Sequence, residues 1–289
     1  MSGGKVKLNH IVNPVETSED RELHWQQPIT YATMLSARRF AKKEFGLDVE
    51  LFATTYPEDE SAVPEGFTKT KHLDRSIQDI REFPMRRKLP LFKDILDRLY
   101  ESTEEGYLIQ TNVDIGLMPH FYASIARFID LGYDAFLINK RIISPYYRSV
   151  DQIPDMWSEL GADHNGYDCF VFRRELYPKF YMGNNCMGIP WSETSLAANM
   201  VAFASNCRVF KQVHLTFHIG DSRTWMQQED YRRFNTEEFC NVLTYLVNSG
   251  YDIVHHEIIS WLLKKLRYEM KPDYPKVCHD LVARLSYLF

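Results

Sequence analysis

The run Gly106-Tyr-Leu-Ile-Gln-Thr-Asn-Val-Asp-Ile115 places its apolar residues first and its polar ones last. A continuous apolar stretch reads as a strand buried on both faces of a sheet, with the polar end marking where the chain leaves the core. Asn112 and Asp114 stand two positions apart, so on an extended chain both side chains share one face.

The flanks of this run alternate between two periodicities. Upstream, Phe92, Ile95, Leu96 and Leu99 form a helical stripe; downstream, Phe121, Ile125, Phe128 and Ile129 form another, followed by the strand-like Ala135–Ile143. Nearer the N-terminus, Val6–Val12 reads as a strand, and Asn13-Pro14-Val15 opens a polar loop that runs to Glu22. Met34, Ala37, Ala41 and Phe45 then recur at helical spacing, with Gly46 in place as a left-handed C-terminal residue. Val49–Tyr56 is a second strand, and 57–66 is its exit loop.

Alternating strands and helices imply right-handed crossovers and a mainly parallel sheet covered on both faces. Ligands of such sheets bind outside the carboxyl ends of the strands, where Asn112 and Asp114 fall. Cys169–Arg173 and Val213–Ile219 extend the sheet, and 236–289 is helical in pattern. The expected architecture is α/β, a Rossmann-type, mainly parallel sheet flanked by helices over residues 1–235, with a helical C-terminal extension, 236–289, packed on it.

Composition narrows the class. With 289 residues, 45% of them hydrophobic, the chain can bury a substantial core. A net charge of -5 gives no broad electrostatic footprint for nucleic acid. The five cysteines are an odd number without CxxC spacing, which predicts reduced, buried thiols in place of a disulfide framework or zinc knuckle. The first twelve residues lack a signal-peptide apolar run, and no stretch approaches the roughly 18 apolar residues of a membrane span. The expectation is a cytoplasmic protein.

Neither a G-x-x-x-x-G-K-[ST] loop nor G-x-G-x-x-G is present, so phosphate recognition needs another device. A strand-end carboxylate can hold a divalent cation that neutralises a diphosphate leaving group, and Asp114 with Asn112 suits that role. The plainer reading of Asp114 is a turn former or helix cap. In His214-Leu-Thr-Phe-His-Ile-Gly-Asp-Ser-Arg-Thr-Trp225, a neutral His218 suits an Mn²⁺-like metal and Arg223 suits phosphate oxygens. Alternatively, His218 is a core histidine satisfied by a backbone carbonyl. Asp168, ahead of an apolar strand, can bind sugar hydroxyls or accept a proton, or can simply shape a strand-entry turn.

Other residues read more plainly. Gly183–Trp191 is a loop whose indole stacks on a sugar ring or packs. His255-His256-Glu257, read as helical, points to different faces; Arg86-Arg87-Lys88 reads as a solvated run; Trp25, Trp157 and Trp261 read as core residues.

Over roughly the first three quarters of the chain, the order of elements resembles the GT-A-fold nucleotide-diphospho-sugar transferases. Tyr107–Ile115 is similar to their strand ending in a DxD motif, with Asn112 in place of the first Asp. His218–Trp225 is similar to the metal-binding histidine segment of retaining members. The resemblance implies Asp114 and His218 as ligands of Mn²⁺ or Mg²⁺, and Asn112 and Arg223 on the diphosphate. It places Asn13, Pro14 and Val15 at the nucleotide base, and Arg86 and Asp94 in the region of base, ribose or phosphate. Asp114 and Asp168 would then carry the catalysis.

The implied function is glycosyl transfer from a nucleotide-diphosphate sugar, with the acceptor open among a glycan, a protein, a small molecule and a modified DNA base. Two alternatives stand beside it. One is a non-catalytic nucleotide-sugar-binding module of the same fold. The other is a sugar-nucleotide nucleotidyltransferase, which carries an early Gly-rich loop and a following basic residue where this chain has Gly3-Gly4 before its first strand.

Overall fold

The computed structural model describes residues 6–221 and 228–286. The chain divides into two units, one of residues 1–73, 95–175 and 205–222, the other of 74–94, 176–204 and 223–289.

The first unit is an α/β sheet. Its strands are β1 (Lys7–Val12), β2 (Asp48–Ala53), β3 (Thr68–Lys69), β4 (Tyr107–Thr111), β5 (Ile115–Leu117), β6 (Ala135–Ile143), β7 (Ala162–Arg173), β8 (Cys207–Phe210) and β9 (Thr216–Ile219). The order is β3-β2-β1-β4-β7-β6-β9-β5, with β8 also pairing β6. The pairings β1·β2, β1·β4, β2·β3, β6·β8 and β6·β9 are parallel. Those of β4·β7, β6·β7 and β5·β9 are antiparallel, so the sheet is mixed, with β7 inserted against the direction of its neighbours.

Helix α1 (Glu22–Phe45) buries Met34, Ala37 and Ala41 in the sheet's core with Leu8, Leu51 and Ile109, and Gly46 closes it at φ 63°. Phe45 departs from the expected stripe: it is exposed in the last turn, beside Phe40. Helices α2 (Phe92–Glu101) and α3 (Phe121–Asp130) carry the apolar stripes read from sequence. The short α4 (Ile153–Ser158) joins a smaller cluster with Ile29, Ile143 and Phe217, against which Trp25 and Trp157 pack.

Two sequence expectations need correction here. The central strand stops at Thr111, because Ile115 N donates to Asn112 O at 3.2 Å and closes a turn; Asn112 and Asp114 therefore do not share a strand face. Asp168 does not precede a strand, because β7 starts six residues earlier, at Ala162, held by the second half of β6.

The second unit contains α5 (Thr194–Phe203), α6 (Glu229–Asn248), α7 (Glu257–Glu269) and α8 (Lys276–Arg284). Its core joins Ile77, Phe83 and Leu91 to Cys186, Ile189 and Phe234. Asn235 stitches this core: its Oδ1 accepts from Cys186 N at 2.9 Å and its Nδ2 donates to Cys186 O at 3.0 Å. His255 lies before α7 and His256 caps it, accepting from Ile258 N, so neither sits on a helix face. Trp191 packs on Phe239, whereas Trp261 is partly exposed with Lys265 over its ring.

Candidate functional site

The chain leaves β1 toward β2 on one side and later returns as β4 on the other, so the sheet's direction of growth reverses between β1 and β4. The loops leaving the carboxyl ends of two such strands diverge and open a crevice. Here those loops are Asn13-Pro14-Val15 and Asn112-Val113-Asp114.

The first loop is tied down by its own polar groups. Asn13 Nδ2 donates to Thr54 O at 2.7 Å; Val15 N donates to Gln27 Oε1 at 3.0 Å, and Gln27 Nε2 returns a bond to Val15 O at 2.9 Å. Pro14 is buried between them. These bonds fix the loop's course, and they occupy the Asn13 amide nitrogen.

Around the second loop stands a charged cluster. His218 lies on β9, opposite Ile115 of β5 and Ile142 of β6. Lys140 is two residues from Ile142 and so faces the same side of the sheet as His218. On β7 a bulge intervenes: Ile138 pairs with Cys169 and Asn139 with Tyr167, leaving Asp168 as the extra residue. A bulge re-aims its side chain, and Asp168 Oδ2 meets Lys140 Nζ at 3.2 Å. Asn112 reaches toward Asp168 Oδ1 at 3.5 Å and is itself held by Gln110 Nε2 at 3.3 Å.

His218 and Asp114, 104 positions apart, meet at 3.2 Å between Nε2 and Oδ2. Nδ1 of the same ring is 2.7 Å from Gly220 O. A carbonyl accepts only, so Nδ1 carries a proton, and an Nε2 facing a carboxylate is favoured as a second donor. Burial pushes the His218 pKa down, but the Asp114 charge and hydrogen bond outweigh it and the net direction is up. Burial likewise opposes ionisation of Asp114, yet His218 and Lys140 bring its carboxyl down to about 2. Both shifts describe one ion pair. His164, on β7, is held the other way: burial and the nearby Lys140 charge lower its pKa.

A hard divalent cation wants several oxygen ligands and uncompensated carboxylate charge. In this cluster Asp114 is paired with His218 and Asp168 with Lys140. Both nitrogens of His218 are engaged, and among the described residues no group of three or more His, Cys, Asp or Glu side chains is disposed to hold a metal. The residues do not fit the Mn²⁺ or Mg²⁺ that the resemblance implies.

Asp94 is buried in the second unit with both carboxylate oxygens on Arg75, at 2.8 and 2.7 Å. Arg86 lies exposed in a loop of that unit. Arg223 lies outside the described residues. Sequence reasoning missed Lys140 and His164. A signal for Lys140 exists: Asn139-Lys140-Arg141 is a polar interruption in the otherwise apolar 135–143.

No family model matches the chain, and no curated protein matches it in sequence. Among solved structures it is similar to Staphylococcus aureus TarS 1-349 in complex with UDP-GlcNAc (12% identity, 96% of this chain and 84% of that chain, TM-score 0.45). It is also similar to Mycobacterium tuberculosis glucosyl-3-phosphoglycerate synthase in complex with Mn²⁺, UDP and glucosyl-3-phosphoglycerate (13%, 83% and 80%, TM-score 0.48). A third is the catalytic domain of Drosophila beta1,4-galactosyltransferase 7 in complex with xylobiose (12%, 78% and 80%, TM-score 0.39). GT-A-type glycosyltransferases are thus among the solved structures this chain is similar to.

Proposed function

We propose that this chain transfers a sugar from a nucleotide-diphosphate donor to an acceptor hydroxyl at the carboxyl edge between β1 and β4. One observation carries the reading: the reversal of an α/β sheet, where ligands of such sheets bind, is lined by a half-buried cluster of carboxylates and cations. In the reaction the acceptor oxygen bonds to the anomeric carbon while the bond from that carbon to the β-phosphate oxygen breaks. The electron pair leaves with the nucleoside diphosphate, and the acceptor proton passes to a carboxylate, a role assigned to Asp168. Asp114 holds the His218 ring in place, and Asn13-Pro14-Val15 borders the nucleotide base.

The test is release of nucleoside diphosphate from a panel of UDP-, GDP- and ADP-hexoses, with water or a simple glycan as acceptor, alongside saturation-transfer NMR for binding. UDP-sugars head the panel because two of the similar structures hold UDP-GlcNAc and UDP. The expected result is binding of one donor class and release that disappears in Asp114→Ala. Failure of every donor to bind overturns the proposal.

A further inference from the structure

We infer that, among the described residues, Lys140 and not a divalent cation supplies the charge that meets the donor's diphosphate in this site; the inference rests on the proposed glycosyl transfer. Loss of a nucleoside diphosphate builds negative charge on the β-phosphate oxygen, and some fixed positive group must stabilise it. Lys140 provides one. Its side chain is 14% exposed, drawn from the middle of β6 into a cluster that includes Asp168 and, through the field it exerts, Asp114, His164 and His218.

Three features argue against a metal sharing that place. A dication binds carboxylates through their uncompensated charge, and here the two carboxylates at the site, Asp168 and Asp114, are each compensated by a cationic side chain at 3.2 Å, while Asp221 acts on the cluster through His164. To ligate, His218 would have to give up the Nε2 contact with Asp114 while keeping Nδ1 on Gly220. Asn112, where a second acidic ligand would help, is a neutral amide already bonded to Gln110 and directed at Asp168. An ammonium is by contrast a compact charge that binds phosphate oxygens well. The bulge that turns Asp168 toward it fixes that ammonium in the cluster before any ligand arrives.

Isothermal titration of the full chain with UDP, GDP and ADP, each in EDTA and again in Mn²⁺, tests this, with Lys140→Met and Lys140→Arg run beside the wild type. The expected result is a wild-type affinity for one diphosphate that changes by less than about twofold between EDTA and Mn²⁺. Lys140→Met should bind at least about tenfold more weakly, the worth of one charge-assisted hydrogen bond, and Lys140→Arg should recover most of the loss. Lys140→Met leaves Asp168 unpaired, so the double variant Lys140→Met, Asp168→Asn restores charge balance and should bind as weakly as the single one. Manganese added alone, followed by its electron paramagnetic resonance signal, should remain free.

Binding that appears only with Mn²⁺, or that ignores Lys140→Met, overturns the inference while leaving glycosyl transfer standing. If none of the three diphosphates binds the wild type with or without Mn²⁺, both the inference and the function beneath it fall.

Discussion

Nδ1 of His10 lies 2.8 Å from the hydroxyl of Tyr122, and its Nε2 lies 2.9 Å from that of Thr111, so β1, α3 and β4 are joined through one fully buried imidazole. Burial holds its pKa down to about 3.

The sign of the resulting pH dependence is set by the unfolded chain, whose histidines titrate near about 6.5. Above that pH both states are neutral and His10 contributes no slope. As the pH falls from there toward about 3, the unfolded state takes up a proton that the folded state refuses. Stability should drop by about 1.4 kcal/mol per pH unit from this residue alone. Urea melts at several pH values, for wild type and His10→Gln, measure it; equal slopes for the two proteins would remove His10 as the cause.

The Asp114–His218 pair predicts a spectroscopic change. With the folded pKa of His218 raised by Asp114, Asp114→Asn should move its imidazole titration to lower pH, followed by heteronuclear NMR of labelled histidine. The pair's contribution through His218 is complete below the unfolded histidine value and fades as pH rises through the folded one. Through Asp114 it is complete above about 3.9 and lost toward about 2. An unmoved His218 titration would mean that the carboxylate does not set its charge.

Gly116 predicts a coupling between packing and the site. A Cβ there would overlap the outer edge of the Phe217 ring, which is itself buried. Gly116→Ala should cost about 1–3 kcal/mol by overpacking. Because β5 and β9 carry Gly116 and Phe217 as register partners, and Ile115 and His218 as the next pair, it should also lower donor turnover. Gly116→Ala, Phe217→Leu should regain stability; a double variant no more stable than the single one would count against the clash.

In the second unit, Asn235→Ala removes both bonds to the Cys186 backbone, leaving that N–H and C=O without their side-chain partner, while the bond from Asn185 Nδ2 to the backbone O of residue 235 survives. Each buried polar group left without a partner costs roughly 1–3 kcal/mol. Guanidinium unfolding should therefore show a loss of several kcal/mol, and a change within about 0.5 kcal/mol would show that water replaces the amide.

What is local in cause is legible in the sequence. The apolar run 135–143 is the whole of β6, and Gly46 ends α1, because periodicity and a left-handed residue act within a few positions. Asp114 and His218 can each be picked out near the end of an apolar run, although Asp114 stands in the turn after β4 and not on the strand. What cannot be read is what depends on counting against a partner. The bulge at Asp168 exists because β6 and β7 disagree by one residue near Asn139, and neither strand alone records that disagreement. Lys140 acquires its meaning from the same mismatch. The turn at 112–114 competes with continuation of an apolar strand, and the hydrogen bond that decides it is invisible in residue order.

The second unit's division into three stretches sets a timetable for synthesis. Phe83 stacks on Tyr231 at 4.1 Å between ring centroids, and the Tyr231 hydroxyl bonds to Met85 O, 146 residues earlier in the chain. At a ribosomal rate of about 5–20 residues per second, the 74–94 segment waits roughly seven to thirty seconds for the helix that covers it. During that interval Ile77, Phe83 and Leu91 are without their α6 partner Phe234. A nascent chain stalled before α6 emerges presents an apolar segment to chaperones, so the burden of delayed translation falls on the part of the protein made early and finished last.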